Sequence, residues 1–369
     1  MDDDPLRFAE KLLGLLDSGR YTATYKFAVL AALIDVCVEG VDADGRAPER
    51  VSARRVGVRV LELFWRHARP YRADDEGVRY LRHSTQANDL VSRITAFRDE
   101  HGFAAGVPVE VARGRVPDAF AALEDHVVTT VIRMPLPKLQ RFAAGGGFHE
   151  DRFLYDYSWP DEVSVARVRR TDFDDTLRLR PGVGEWLVRL AGVLRPIVQQ
   201  RWAAFVAQRS RDVVEAAWLD DFLFGTTRAA LERVRLPLLE VQDGRCFYCR
   251  QPAPTATTHV DHFVPWVRHP DNGLTNLVAA HDRCNNAKRD SLAAAGHLER
   301  WLERTQPGSP EHGAVAEIHR ATGWPSDTGR TLGAARAVYL WIPDGTLLWQ
   351  GVGLYARADT DRLRSLLVT

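Results

Sequence analysis

Between Arg245 and Leu292 the chain concentrates groups suited to holding metals and moving protons. Three of its four cysteines, Cys246, Cys249 and Cys284, lie there. Cys246-x-x-Cys249 is the spacing at which two thiolates on a tight turn reach one zinc ion. His281 and Cys284 follow at i and i+3, which puts both side chains on one side of a turn entering a helix. Three sulfurs and one imidazole nitrogen make a closed tetrahedral set with no open position. The zinc they predict is therefore structural and not catalytic.

A second group lies between the two halves of this knuckle. In His259-Val-Asp261-His262-Phe-Val-Pro265, neighbouring side chains of an extended segment diverge, with a kink expected near Pro265. Asp261 can then offer oxygen to a hard ion such as magnesium, while His262 addresses a water. An imidazole with an ordinary pKa of about 6.5 can take a proton from that water near neutral pH. Asn285 follows Cys284 by one residue, about 100° around a helix, so Cys284 can face zinc while Asn285 faces the cleft. Asp290 lies beyond that face. Lys288 and Arg289, at i+3 and i+4 from Asn285, share its face and suit contacts with DNA phosphates. Asn276, after the Asp271-Asn272-Gly273 turn, is expected to tie the loop backbone and hold His262 in place. His259 could orient or bind; a structural role is the favoured reading.

These residues resemble the pattern of zinc-containing HNH endonucleases with the ββα-metal fold. That pattern is a C-x-x-C knuckle, a D-H pair, an N-L, and a C-N or C-H before x-x-K. Here it reads Cys246/Cys249, Asp261-His262, Asn276-Leu277 and Cys284-Asn285 with Lys288. The resemblance covers roughly fifty residues, and it implies a catalytic set of His262, Asp261, Asn276 and Asn285. Within that set His262 is the general base, Asp261 and Asn285 are ligands of a catalytic Mg2+ or Mn2+, and Asn276 positions. There are two departures. His281 stands where the second knuckle usually has a cysteine, giving a Cys3His zinc set, and Asn285 stands where many members have histidine. A helical region followed by a late HNH module also resembles the layout of bacterial restriction or anti-phage nucleases.

The elements that must position this stretch are mostly helical. The chain has 369 residues, enough for two or three domains, with 45% hydrophobic and 27% charged residues, as in a soluble globular protein. Net charge is +0, so attraction to nucleic acid must come from local basic patches. Lysine occurs only at Lys11, Lys26, Lys138 and Lys288, leaving arginine to supply nearly all positive charge. The longest apolar run, Phe27 to Val38, carries Asp35 and is too short to span a bilayer. With no signal segment and with cysteines clustered beside histidines, the expected setting is a reducing cytoplasm, away from membranes.

Asp4-Pro5 reads as the start of a helix that runs to Leu16 and stops at Asp17-Ser18-Gly19. A helix over 24–39 is apolar on nearly every side and belongs in a core, with Cys37 packed there. Further helices are expected over 51–65 (capped by Ser52), 88–101, 118–131, 184–208 with a kink at Pro196, 213–224, 228–235 and 293–304. Strands are expected at 107–111 and 152–159, a glycine loop at 143–147, a break at Pro237 and a linker near 307–313. Arg66, His67, Arg69, Arg72, Arg79 and Arg82 admit two readings, a solvated face beside a core aromatic cluster or a nucleic-acid surface.

The expected fold class is thus α+β, mostly helical, with a small zinc-stabilised ββα-metal module. The expected divisions are an N-terminal region (1–180) that recognises DNA or regulates, a helical connector (181–240), the HNH module (241–295) and a mixed α/β extension (296–369). The function so implied is metal-dependent hydrolysis of phosphodiester bonds in double-stranded DNA, in restriction or phage defence. The alternatives are a non-catalytic zinc-stabilised nucleic-acid-binding protein, or a nicking or RNA-directed nuclease. One such site per chain needs a homodimer, or two visits, to cut both strands.

Overall fold

The computed structural model describes residues 4–17, 23–74, 77–85, 89–144, 147–214, 216–225 and 228–368. The chain packs as two units. One comprises Met1–Cys37 and Ala47–Gly225, the other Val38–Arg46 and Thr226–Thr369. The expected connector is therefore divided: its first part packs with the N-terminal unit, and the helix Arg228–Val241 with the C-terminal one.

The N-terminal unit is built on helices. Ala28 to Cys37 of the helix Tyr25–Glu39 are all buried, as its all-round apolar surface demands. Burial pushes the Cys37 thiol up to about 12, so it is a packed apolar group. Asp35, in the same helix, is held by Arg59 Nε at 2.8 Å and by Arg195. Ser52 caps the helix Ala53–His67, its hydroxyl accepting from the Arg55 N–H at 3.1 Å. That helix lies against Pro117–Arg133, and Gly57 permits the contact: a Cβ there would sit 2.9 Å from Val128 Cα. A small sheet orders Arg50–Ser52, Thr176–Leu179 and Tyr155–Asp156, all antiparallel.

Several local expectations change. Residues 107–111 form no strand; Pro108 takes the N-cap position of the helix Val109–Arg115, where its missing N–H costs nothing and Val109, Val111 and Ala112 are buried. Only Tyr155–Asp156 of the 152–159 stretch pairs as a strand. The 184–208 helix is two, Val183–Arg189 and Ala191–Arg209, broken at Leu190, with Pro196 in the second. On either side of the expected glycine loop, Arg141–Ala144 pairs antiparallel with Gly147–Glu150; Gly145 and Gly146, like Ser18 and Gly19, lie outside the described residues. Among the basic residues after Trp65, His67 is buried, Arg69 stacks over the Phe222 ring at 4.3 Å and Arg82 pairs with Asp212 at 2.8 Å. His67 and Arg69 thus pack into the aromatic cluster and not on a solvated face, while Arg82 is exposed.

The C-terminal unit places the strands Thr258–His262 and Leu277–His281 antiparallel, with Asp261 opposite Val278 and His262 opposite Leu277. The short helix Asp282–Lys288 follows directly, completing a ββα arrangement. The helix Arg228–Val241 contributes Leu231, Val234, Leu238 and Leu239 to the core beneath the strands. Pro237 lies inside that helix and does not end it. The 307–313 stretch is no linker either, because Ser309 caps the helix Pro310–Thr322 with proline in its first turn. Leu298, Trp301, Ile318, Tyr339, Leu348, Trp349 and Leu363 from the last part of the chain share one core with Phe247, Phe263 and Leu277. The ββα stretch and the extension are one packed body. Among the described residues, no helix is long and apolar enough to cross a membrane.

Candidate metal centre and cleft

The knuckle residues meet. The ligand atoms of Cys246, Cys249, His281 and Cys284 all lie within 4.8 Å of one another. His281 Nε2 lies 3.0 Å from the Pro252 carbonyl, which can only accept. The ring proton is therefore on Nε2, and the lone pair of Nδ1 faces the sulfurs, 3.3 Å from Cys249 Sγ. This tautomer is the one a metal ligand needs, fixed by a backbone oxygen behind the ring. Burial pushes the Cys249 thiol up, but hydrogen bonds from the Gln251 N–H and the neighbouring cysteines outweigh it and lower its pKa. Burial and the charge of its two neighbours push Cys284 up to about 12. A divalent cation among the sulfurs would let all three ionise together. The donor set thus fits tetrahedral zinc, with His281 supplying the one nitrogen.

A cleft of about 570 Å³ is lined by Asp261, His262 and Asn285, and by none of the four knuckle residues. Cys284 is buried toward the sulfurs while Asn285, one residue on, opens to the cleft. His262 Nε2 lies 2.9 Å from Asn272 Oδ1. An amide oxygen only accepts, so Nε2 carries the ring proton and Nδ1 keeps its lone pair. Burial lowers the His262 pKa, with Lys288 adding to the effect, against the opposing pull of Asn272, Asp261 and Asp271. The ring is therefore neutral at pH 7 and able to accept a proton.

Asn276 is fully buried and does not line the cleft. Its Oδ1 accepts from the Val264 N–H at 2.8 Å, and its Nδ2 donates to the Val264 and Asp271 carbonyls at 3.1 and 3.0 Å. It closes the loop between the strands, which is a positioning task. His259 stands half exposed on the cleft rim, with Nε2 3.9 Å from Asp282 Oδ1.

Lys288 departs from the surface position that its spacing from Asn285 predicts: it is fully buried. Its ammonium donates to the His262 carbonyl at 2.8 Å and sits 3.0 Å from Asp261 Oδ2. It cannot reach a DNA phosphate from there. The chain turns at Arg289, whose φ is 48°, and Arg289 remains exposed on the cleft.

Sequence reasoning missed two residues of the site. Tyr248, inside the C-x-x-C knuckle, donates its hydroxyl to Asp261 Oδ2. Burial and the Asp261 charge hold its pKa well above 10, so it stays a donor. Asn272 orients His262, and its own carbonyl accepts from Trp324 Nε1 at 2.8 Å. Asp271 beside it accepts from Thr331 Oγ1 at 2.7 Å. The Asp-Asn-Gly turn was visible in the sequence; its partners, some fifty residues downstream, were not.

Residues 246–291 match the family model described as HNH endonuclease, so the stretch is an HNH domain. The chain is also similar to the CRISPR-associated endonuclease Cas9 of Actinomyces naeslundii, 34% identical over 240 residues. That match takes in 58% of this chain and spans 19% of the relative's length. A solved structure of the Type II-C Cas9 enzyme from Actinomyces naeslundii aligns at 15% identity over 84% of this chain and 43% of that one, with a TM-score of 0.19.

Proposed function

We propose that the chain is a metal-dependent DNA endonuclease whose chemistry is carried by the HNH domain. The observation that carries this reading is the convergence of His262, Asp261 and Asn285 on one cleft, with His262 held in a single tautomer by Asn272. His262 accepts a proton at Nδ1 from a water beside the scissile phosphate, which makes that water a nucleophile. Asp261 and Asn285 supply the oxygens for Mg2+ or Mn2+, which when bound would stabilise charge on the phosphate and the departing oxygen. Arg289, exposed on the same cleft, pairs with a neighbouring phosphate. Cys246, Cys249, His281 and Cys284 hold the zinc that fixes the strand–helix junction, and take no part in bond cleavage. A role in restriction or phage defence belongs to the same proposal; its support is the similarity to a CRISPR-associated endonuclease.

The test is cleavage of supercoiled plasmid by the zinc-loaded protein, titrated with Mg2+ or Mn2+. Metal-dependent cutting that Asp261→Ala and Asn285→Ala both lose is the expected result. Cutting that persists in both variants would remove these residues from the site. Nicked product alone would identify a nickase, and retained DNA binding without cutting would favour a binding module.

A further inference from the structure

We propose that Lys288 and Tyr248 are positioning residues that grip one oxygen of Asp261 and so aim the other at the catalytic metal ion. The inference rests on the nuclease reading and deepens it. Lys288 Nζ lies 3.0 Å from Asp261 Oδ2, and the Tyr248 hydroxyl donates to that same oxygen. Among the described residues, these hydrogen-bond and ion-pair contacts of the Asp261 carboxylate all fall on Oδ2, while the residue itself lines the cleft. A carboxylate held by two donors on one oxygen cannot rotate freely, so Oδ1 is oriented before any ion arrives.

Lys288 also donates to the His262 carbonyl at 2.8 Å. One ammonium thus ties together the backbone of the base and the side chain of the metal ligand. Its remaining face meets the Tyr248 ring, 5.8 Å from Nζ to the centroid. A fully buried ammonium persists only when its charge and its donors are matched, and here each is. Tyr248 is locked in turn by edge contacts with Trp349 at 5.0 Å and His297 at 5.3 Å. The arrangement is a rigid support for one carboxylate, assembled from the knuckle, the short helix, and His297 and Trp349 of the C-terminal extension.

The experiment measures Mn2+ affinity of the full-length, zinc-loaded protein by electron paramagnetic resonance of free Mn2+, without DNA. Wild type is compared with Asp261→Ala, Lys288→Met and Tyr248→Phe. Zinc content and thermal transition are recorded for each, and only folded protein is titrated. Loss of Mn2+ binding in Asp261→Ala, with dissociation constants raised about tenfold or more in Lys288→Met and Tyr248→Phe, is the expected result. Should Lys288→Met not fold, Tyr248→Phe, which removes one oxygen and keeps the ring, decides alone. A residue with a merely structural role would lower the thermal transition and leave the affinity of the folded protein unchanged. Wild-type affinity in Lys288→Met and Tyr248→Phe, while Asp261→Ala loses binding, would overturn the positioning inference alone. Unchanged binding in Asp261→Ala would overturn the metal-site reading and this inference with it.

Discussion

His262 Nε2 and Asn272 Oδ1 stand 2.9 Å apart, and the direction of that hydrogen bond decides which ring nitrogen can act as a base. Asn272 is ten residues from His262, on a turn fastened by Trp324 and Thr331. Asn272→Ala should lower kcat about ten- to a hundredfold by freeing the ring, with zinc content unchanged. Asn272→Asp should keep the hydrogen bond and add a charge that raises the His262 pKa. Because the base works unprotonated, the acid limb of the rate profile should then move to higher pH. Single-turnover cleavage across pH reads both effects.

Removing a knuckle ligand should unfold the ββα unit. Cys249→Ala leaves three donors for zinc, and the site's binding energy is also folding energy. Zinc content by elemental analysis and the thermal transition should fall together, as they should when a strong chelator is added to wild type. A variant with full zinc content and an unchanged transition would contradict the ligand set.

The N-terminal unit should be acid-sensitive. His67 and His83 are both buried and stack with ring centroids 5.0 Å apart. Burial pushes His83 down to about 3 and His67 well below the ordinary value of 6.5. The folded state therefore keeps both neutral, while the unfolded chain protonates them below its pKa of about 6.5. Their contribution is fully present above pH 6.5 and is lost progressively as pH falls below it. Urea midpoints at pH 7 and pH 5 should show the loss. His83→Gln, neutral throughout, should reduce it, leaving the share that His67 contributes.

Asp35 is fully buried between Arg59 and Arg195, and Glu62 pairs with Arg59 at 2.7 Å. Asp35→Ala would remove the carboxylate that Arg59 and Arg195 share in the core, at a cost of about 3–5 kcal/mol. Denaturant unfolding followed by tryptophan fluorescence, to which the buried Trp202 of the same unit contributes, measures this.

How much of this was legible in the sequence varied with distance along the chain. That Cys246, Cys249, His281 and Cys284 come together, and that Asp261, His262 and Asn285 line one cleft, follows from pairs at short spacings, each set by a turn or one helical step, which the ββα arrangement then joins. The all-apolar helix of 25–39 was readable for the same reason. Lys288 was misplaced because helical periodicity assigns a face but not a depth, and a charged residue at i+3 from a cleft asparagine suggests solvent. The strand Thr258–His262 and the helix Asp282–Lys288 instead bring Asp261 and Lys288 together from twenty-seven positions apart, where each neutralises the other. Asn272 and Tyr248 carried no local signal, since their roles depend on tertiary contacts. Ser309-Pro310 and Pro108 misled in the other direction: proline near a turn also starts helices, and only packing shows which occurs.

The central claim is that His262 is the base of a phosphodiester hydrolase. Its most direct test is single-turnover cleavage of plasmid DNA with Mg2+ or Mn2+ by wild type and His262→Ala, both checked for equal zinc content and thermal stability. The account predicts that wild type cuts and that His262→Ala loses at least about a hundredfold in rate with its fold intact. Cutting by His262→Ala at the wild-type rate would contradict it.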